Sequence, residues 1–269
     1  MRLLVIGDIV GRAGRDSITA QLPTIREKME IDFVVANGEN ATQGRGITLA
    51  HAHLLFQAGI DCLTLGDHAF DQRHLVKDIN AESRIIRPLN FARGAPGQGS
   101  GIFSDAKGRK VLVISALGRV FMQPPYDDPF PMVDAKLNAY PLGSAVAATV
   151  IDFHAEATSE KCAMGLVFDG RATLIAGSHT HIPTADYRIL DNGTAYITDL
   201  GMCGDYDSVI GVHKDEPINR FISGMRRGRF TPAVGTATIC GVVVDTDETS
   251  GLAQRIDSVR IGGRLGVKP

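Results

Sequence analysis

Short apolar runs that stop abruptly at polar residues recur along this chain. Leu3 to Ile6 is apolar and gives way to the turn Gly7-Asp8-Ile9-Val10-Gly11, which predicts a first strand. Behind it, Ile18, Leu22, Ile25 and Met29 fall at threes and fours, the spacing of a helix with one buried face, and Pro23 is a place for that helix to kink or break. Phe33 to Ala36 predicts a second strand, followed by the polar loop Asn37 to Gly46. Thr48 then caps a helix carrying Leu49, Leu54, Leu55 and Phe56. Asp61 to Leu65 predicts a third strand that ends at Gly66-Asp67-His68, with Asp71 as the cap of the next helix. Strand, polar loop and helix in repetition predict parallel strands with their loops gathered at one edge.

The middle of the chain has a different rhythm. Gly101 to Ser104 and Lys110 to Ala116 flank Asp105-Ala106-Lys107-Gly108-Arg109, a hairpin signal that makes the sheet mixed. Gly118 to Val133 holds four prolines and few helix formers, and is expected to be a long irregular loop. Val146 to Phe153 predicts a strand that delivers His154, and Ala155 to Lys161 begins a helix. Ala172 to Ala176 predicts another strand, Asp191-Asn192-Gly193 a hairpin turn, and Ile239 to Val244 with Ile256 to Ile261 a terminal strand pair. No repeat, low-complexity block or linker interrupts residues 1–269, so a single domain is expected.

Composition narrows the function. A hydrophobic content of 44% is ample for a large core. A formal net charge of −2 without a long basic run leaves no footprint for nonspecific nucleic-acid binding or for an anionic membrane, although a nucleotide-sized substrate remains open. The first apolar run is too short for a signal-peptide core, and no later run approaches the roughly 20 apolar residues that cross a bilayer. Cys62, Cys162, Cys203 and Cys240 lack Cys-x-x-Cys spacing, as expected of reduced thiols in a cytoplasmic protein.

The chemistry concentrates at strand ends. The apolar run Ala172 to Ala176 exits through Gly177-Ser178 into His179-Thr180-His181, and residues two apart in an extended segment point the same way, toward ions in one pocket. Four other strands end in groups that bind hard or borderline cations: Asp8, Glu39 with Asn40, Asp67 with His68, and His154. Ligands in open α/β sheets sit beyond the carboxyl ends of strands, so these residues are candidates for one crevice. His51 and His53 share the His-x-His spelling but lie in a helical segment, where that spacing turns them roughly 200° apart. His74 and His213 read as surface residues. Neither a dinucleotide fingerprint nor a P-loop is present.

Gly7-Asp8, Gly38-Glu39-Asn40, Gly66-Asp67-His68, His154 and Gly177-Ser178-His179-Thr180-His181 resemble, in order, the metal-binding blocks of the calcineurin-like metallophosphoesterases. The branch they resemble is that of the small bacterial YmdB-type phosphodiesterases, which has a lone first aspartate and a bridging glutamate; Thr198 to Gly204 and Asp207 to Gly211 also resemble it. The resemblance implies an α/β/β/α sandwich with mixed sheets and a centre of two divalent ions, of Fe, Mn or Zn. One ion would be held by Asp8, Glu39, Asn40 and His181, the other by Glu39, Asp67, His154 and His179. It further implies attack of a metal-bridging hydroxide on a small phosphodiester, 2',3'-cyclic nucleotides among them, with His68 as the catalytic group beside phosphate or leaving oxygen. A homo-oligomer is implied as well. One position departs: the branch has asparagine where this chain has Asp67, which raises the ligand charge from two negatives to three against four positives.

Arg45, Arg73, Arg87, Arg93 and Arg119 stand near the candidate loops as phosphate contacts. Two other functions remain open from sequence. A metal-dependent amidohydrolase on a TIM barrel also uses His-x-His, though it places that pair after its first strand. A metal-stabilised regulatory protein would keep the site with little turnover.

Overall fold

The protein is described here by a computed structural model covering residues 1–266. Its first half alternates as the sequence predicts: β1 (Arg2–Ile9), α1 (Gly11–Lys28), β2 (Phe33–Asn37), α2 (Leu49–Gln57), β3 (Cys62–Thr64), α3 (Arg73–Asp78) and β4 (Ile85–Ile86). Then follow β5 (Ser100–Ser104), β6 (Lys110–Leu117), α4 (Pro129–Ala139), β7 (Ala148–His154), α5 (Thr158–Val167) and β8 (Leu174–Ser178). The chain closes with β9 (Arg188–Ile189), β10 (Ala195–Ile197), β11 (Met202–Asp205), α6 (Asp215–Ser223), β12 (Ala237–Thr246) and β13 (Ala253–Ile261).

Two mixed sheets result. The seven-stranded sheet runs β13-β12-β11-β1-β2-β3-β4, and the six-stranded sheet β5-β6-β7-β8-β10-β9. β1 to β4 are parallel, as are β6, β7, β8 and β10. β12 and β13 pair antiparallel, and β5 and β9 are antiparallel edges. Open sheets with antiparallel edges are not a (β/α)8 barrel, so the amidohydrolase alternative loses its scaffold.

The period-2 alternation of the strands builds the layers. Leu4 and Ile6 of β1 pack outward with Val34, against Ile18 and Leu22 of α1 and Leu55 of α2. Their neighbours Leu3 and Val5 face inward with Phe33 and Val35, against Val111, Val113, Val150 and Leu174 of the other sheet. Ile114, Ile151 and Ile175 face the far side, under Val133 and Leu137 of α4 and Met164 of α5. The order is therefore helices, sheet, sheet, helices: an α/β/β/α sandwich.

Three local expectations change. The stretch Gly118 to Val133 is irregular only as far as Asp128; there the Asp128 side chain accepts from Phe130 N–H and Pro129 sits in the first turn, which starts α4. A proline is unfavourable inside a helix but suited to its first turn, where its missing N–H has no partner to lose. Pro23 does not break α1, which runs through it. Asp71 does not cap α3, whose cap position is Gln72 with no side-chain bond; the Asp71 carboxylate turns to His68 instead.

Candidate metal centre

The layer between the sheets changes character along its length. Its inward positions are apolar at Phe33 and Val35, Val111 and Val113, Ala148 and Val150, and Leu174 and Ala176. Continuing each strand by twos reaches Asn37, Ser115, Asp152 with His154, and Ser178, all buried. The carboxyl ends of parallel strands from both sheets thus meet in a buried polar edge, and the candidate ligands stand on it.

Four of them converge closely. One donor atom each from Glu39, Asp67, His154 and His179 lie within 4.8 Å of one another. His154 Nε2 is 3.1 Å from Glu39 Oε1, 3.0 Å from Asp67 Oδ1 and 3.0 Å from His179 Nδ1. The others group beside them. His181 Nε2 is 3.2 Å from Asn40 Oδ1 and 3.9 Å from Asp8 Oδ1. Asp8 Oδ1 is buried and accepts no hydrogen bond among the described residues, while Oδ2 accepts from His179 N–H. His68 lines the cleft above, with Nδ1 3.0 Å from Asp71 Oδ2 and its backbone N–H donating to Glu39 Oε2. Gly66 has to be glycine, because a Cβ there would collide with the Glu39 carboxylate and the His154 ring.

This donor set calls for a cation. Burial pushes the Asp8 carboxyl up to about 8 against the pull of His154. Burial opposes charge on Glu39 and Asp67 too, but hydrogen bonds and attraction from His154 bring both below the ordinary carboxylate range. His154 is raised well above an ordinary imidazole, because Glu39, Asp67 and Asp8 outweigh the cost of its burial. A proton on His154 Nε2 thus stands, in the metal-free chain, where a metal's positive charge would satisfy the same oxygens, and the residues fit a metal.

A pH dependence follows. The folded metal-free chain holds a proton on Asp8 up to about pH 8, where the unfolded chain loses it near the ordinary aspartate value of 3.8. His154 adds stability that is full below the ordinary histidine value of 6.5 and is lost as pH rises through its higher folded value. Both contributions decline with rising pH; buried His181, held below the ordinary histidine value, adds stability as pH rises to about 6.5, but the larger displacement at Asp8 sets the sign, so the urea midpoint of chelator-treated protein should fall from about pH 5 to about pH 8. Asp8→Asn should flatten the slope, and a midpoint that climbs over that window would contradict this picture.

Buried partners fix the imidazoles. His154 Nδ1 donates to Ser178 Oγ at 2.9 Å, and Ser178 donates onward to Asp152 Oδ1 at 2.5 Å. The other Asp152 oxygen accepts from Asn37 and Thr64 of the facing sheet, so one carboxylate ties both layers beneath the site. His181 Nδ1 donates to the Ile210 carbonyl at 2.8 Å, which leaves Nε2 facing Asn40 and Asp8.

The turn bearing the histidines is strained. His179 and His181 have φ of 99° and 67°, and β-branched Ile210 has φ of 48°. Such conformations cost on the order of 1–3 kcal/mol each and need outside support. Asp199 supplies it: Oδ2 accepts from Thr180 N–H and Oγ1 and from the buried Lys161 Nζ at 2.8 Å, while Oδ1 accepts from Gly201 N–H. Gly201 in turn presents its carbonyl to Asp8 N–H, linking Asp8 to the same carboxylate. Lys161→Met leaves Asp199 charged and unpaired at 1% exposure, and should destabilise the chain by about 3–5 kcal/mol in urea unfolding. A loss below about 1 kcal/mol would show that the clamp is not needed.

The cleft over these groups has a volume of about 450 Å3. Of the arginines expected near phosphate, Arg45 lines it. Arg87 instead donates to the carbonyls of Pro88, Leu89, Ala95 and Pro96, Arg119 pairs with Asp128, Arg93 lines a separate depression, and Arg73 opens α3. His51 bonds Thr42 and His53 approaches Glu82, so this second His-x-His faces two partners and no common point. A larger open depression of about 600 Å3 lies elsewhere, where Arg2 pairs with Asp245 and Arg26 with Asp61.

Sequence reasoning missed Asp152, Lys161 and Glu156, whose Oε2 is 3.1 Å from His179 Nε2, and gave no role to Ser178 and Asp199, which lie inside the blocks that carry the resemblance. Asp152 carried a signal, being two residues before His154 on one strand face. Lys161 carried none, since helical lysines are ordinarily exposed.

A family model described as "YmdB-like protein" matches residues 4–259. The chain is 42% identical over 261 residues to a Bacillus subtilis (strain 168) protein named 2',3'-cyclic-nucleotide 2'-phosphodiesterase, covering 97% of each. A crystal structure of a novel phosphatase from Mycoplasma pneumoniae is similar with a TM-score of 0.89 and 34% identity, over 97% of this chain and 93% of that one. A hypothetical protein from Thermus thermophilus is similar with a TM-score of 0.89 and 36% identity, over 98% of this chain and 100% of that one.

Proposed function

Because the chain belongs to the YmdB-like protein family, we propose that it is a metal-dependent phosphodiesterase that opens small phosphodiesters, with 2',3'-cyclic nucleotides as its substrates. The observation that carries the reading is the cluster of Glu39, Asp67, His154 and His179, two of which, Glu39 and His179, line a cleft of about 450 Å3. In this reading Glu39, Asp67, His154 and His179 hold one divalent ion, and Asp8, Asn40 and His181 hold a second together with Glu39. When bound, such a pair lowers the pKa of water and clamps the nonbridging phosphate oxygens during in-line displacement.

The chain's own groups do the rest. Ser178 and Ile210 keep the His154 and His181 Nδ1 protons in place, so each ring presents Nε2. Asp71 accepts from His68 Nδ1, steadying an imidazolium whose Nε2 proton goes to the leaving oxygen. Hydrolysis adds the elements of water: the P–O2' bond breaks, hydroxide oxygen joins phosphorus, O2' takes the His68 proton, and a 3'-monophosphate leaves.

Among the described residues no helix is long and apolar enough to cross a membrane, and the four cysteines are free thiols. The reading includes a cytoplasmic setting and a homo-oligomer, the latter checked by mass in solution. The test of the function is incubation of purified protein with adenosine 2',3'-cyclic phosphate across added Mn, Fe and Zn. The 3'-monophosphate is the expected product; no product under any metal overturns the assignment.

A further inference from the structure

The donor groups occupy only part of the cleft. One wall is apolar, built from Ile210, Val212, Phe230 and Pro232, and it faces the same space as Glu39, His179 and His181. Phosphate needs no such wall. Phe230 is 45% exposed and so offers part of its ring to the cleft that it lines. Yet the ring is held: the Arg220 guanidinium carbon sits 3.9 Å over its centroid, and Arg220 is itself fixed by Glu216 at 2.7 Å. A preorganised aromatic face beside a phosphate-sized donor cluster is what a flat π-system attached to that phosphate requires.

We propose that Phe230, with Ile210 and Pro232, forms a nucleobase-stacking subsite that holds the base of the cyclic nucleotide while its phosphate meets the metal centre. This deepens the phosphodiesterase reading and rests on it. The cleft volume of about 450 Å3 falls within the roughly 300–1,000 Å3 of small-molecule sites. The wall itself is carbon surface, whose stacking is open to every base and favours the larger purine faces, while Gln43 and Thr231 line the same cleft.

The test compares adenosine 2',3'-cyclic phosphate with ribose 2',3'-cyclic phosphate, which lacks the base, in wild type, Phe230→Ala and Phe230→Trp. Wild type should prefer the nucleotide by about tenfold or more in kcat/KM. Phe230→Ala should erase about tenfold of that preference through KM, and Phe230→Trp should restore it. Binding of the product adenosine 3'-monophosphate, followed by calorimetry, should weaken in parallel. A preference ratio equal in wild type and Phe230→Ala overturns the subsite, whether both substrates survive or both are lost. Phe230→Ala that changes the mass in solution without changing the ratio overturns it in favour of a contact between copies. Failure of wild type to open either substrate would instead overturn the phosphodiesterase reading.

Discussion

Glu39→Gln should lower turnover of 2',3'-cyclic nucleotides by about 10²–10³-fold, the range for removing one preorganised electrostatic group from an active site. Glu39 is 1% exposed, and its two oxygens are divided: Oε1 faces His154 Nε2 at 3.1 Å, and Oε2 accepts from His68 N–H. It is the carboxylate that touches both the donor cluster and the segment bearing the proposed proton donor. Glutamine keeps the shape and an acceptor for His68 N–H, so the fold should survive, with a thermal midpoint within a few degrees of wild type. Metal content should drop along with kcat. Full metal content with unchanged kcat would remove Glu39 from the centre.

Asp67→Asn has the next largest expected effect, and it concerns what sets this chain apart from the pattern it resembles. Burial opposes charge on Asp67, yet hydrogen bonds from His154 and His179 hold its carboxyl far below the usual range. Asparagine keeps one oxygen donor and removes a negative charge from the ligand set. Metal dissociation constants should rise by about 10–100-fold, the scale on which groups around a metal tune its affinity. The pH optimum should move downward, because less negative charge leaves more of the metal's positive charge to acidify water. Tighter binding with a higher optimum would contradict the charge argument.

Much of this is legible in the sequence because it obeys short periods. Strand ends and the polar residues Asp8, Glu39, Asp67 and His154 that follow them are marked by apolar runs and glycine-bounded turns, whereas the two-sheet layering is implied by the resemblance of the ordered blocks, and His179 and His181 sit in a left-handed turn that strand alternation does not describe. α4 is hidden because Pro129 and Pro131 read as loop formers, whereas Asp128-Pro129 is a helix start. The insertion of β11 parallel to β1 at Asp8 and Ile9, with β12 antiparallel to the same strand at Arg2 to Ile6, depends on pairing across some 200 residues. The Lys161–Asp199 clamp likewise joins residues 38 apart. No local pattern separates such a lysine from a solvated one.

The central claim is that this donor set works by holding metal. Protein stripped by a chelator should have lost hydrolysis of 2',3'-cyclic nucleotides, and titration with Mn should restore it in step with metal uptake, saturating near two equivalents. His179→Ala with His181→Ala should abolish both uptake and recovery. Undiminished hydrolysis by the stripped protein, or recovery in the double variant, would contradict the account.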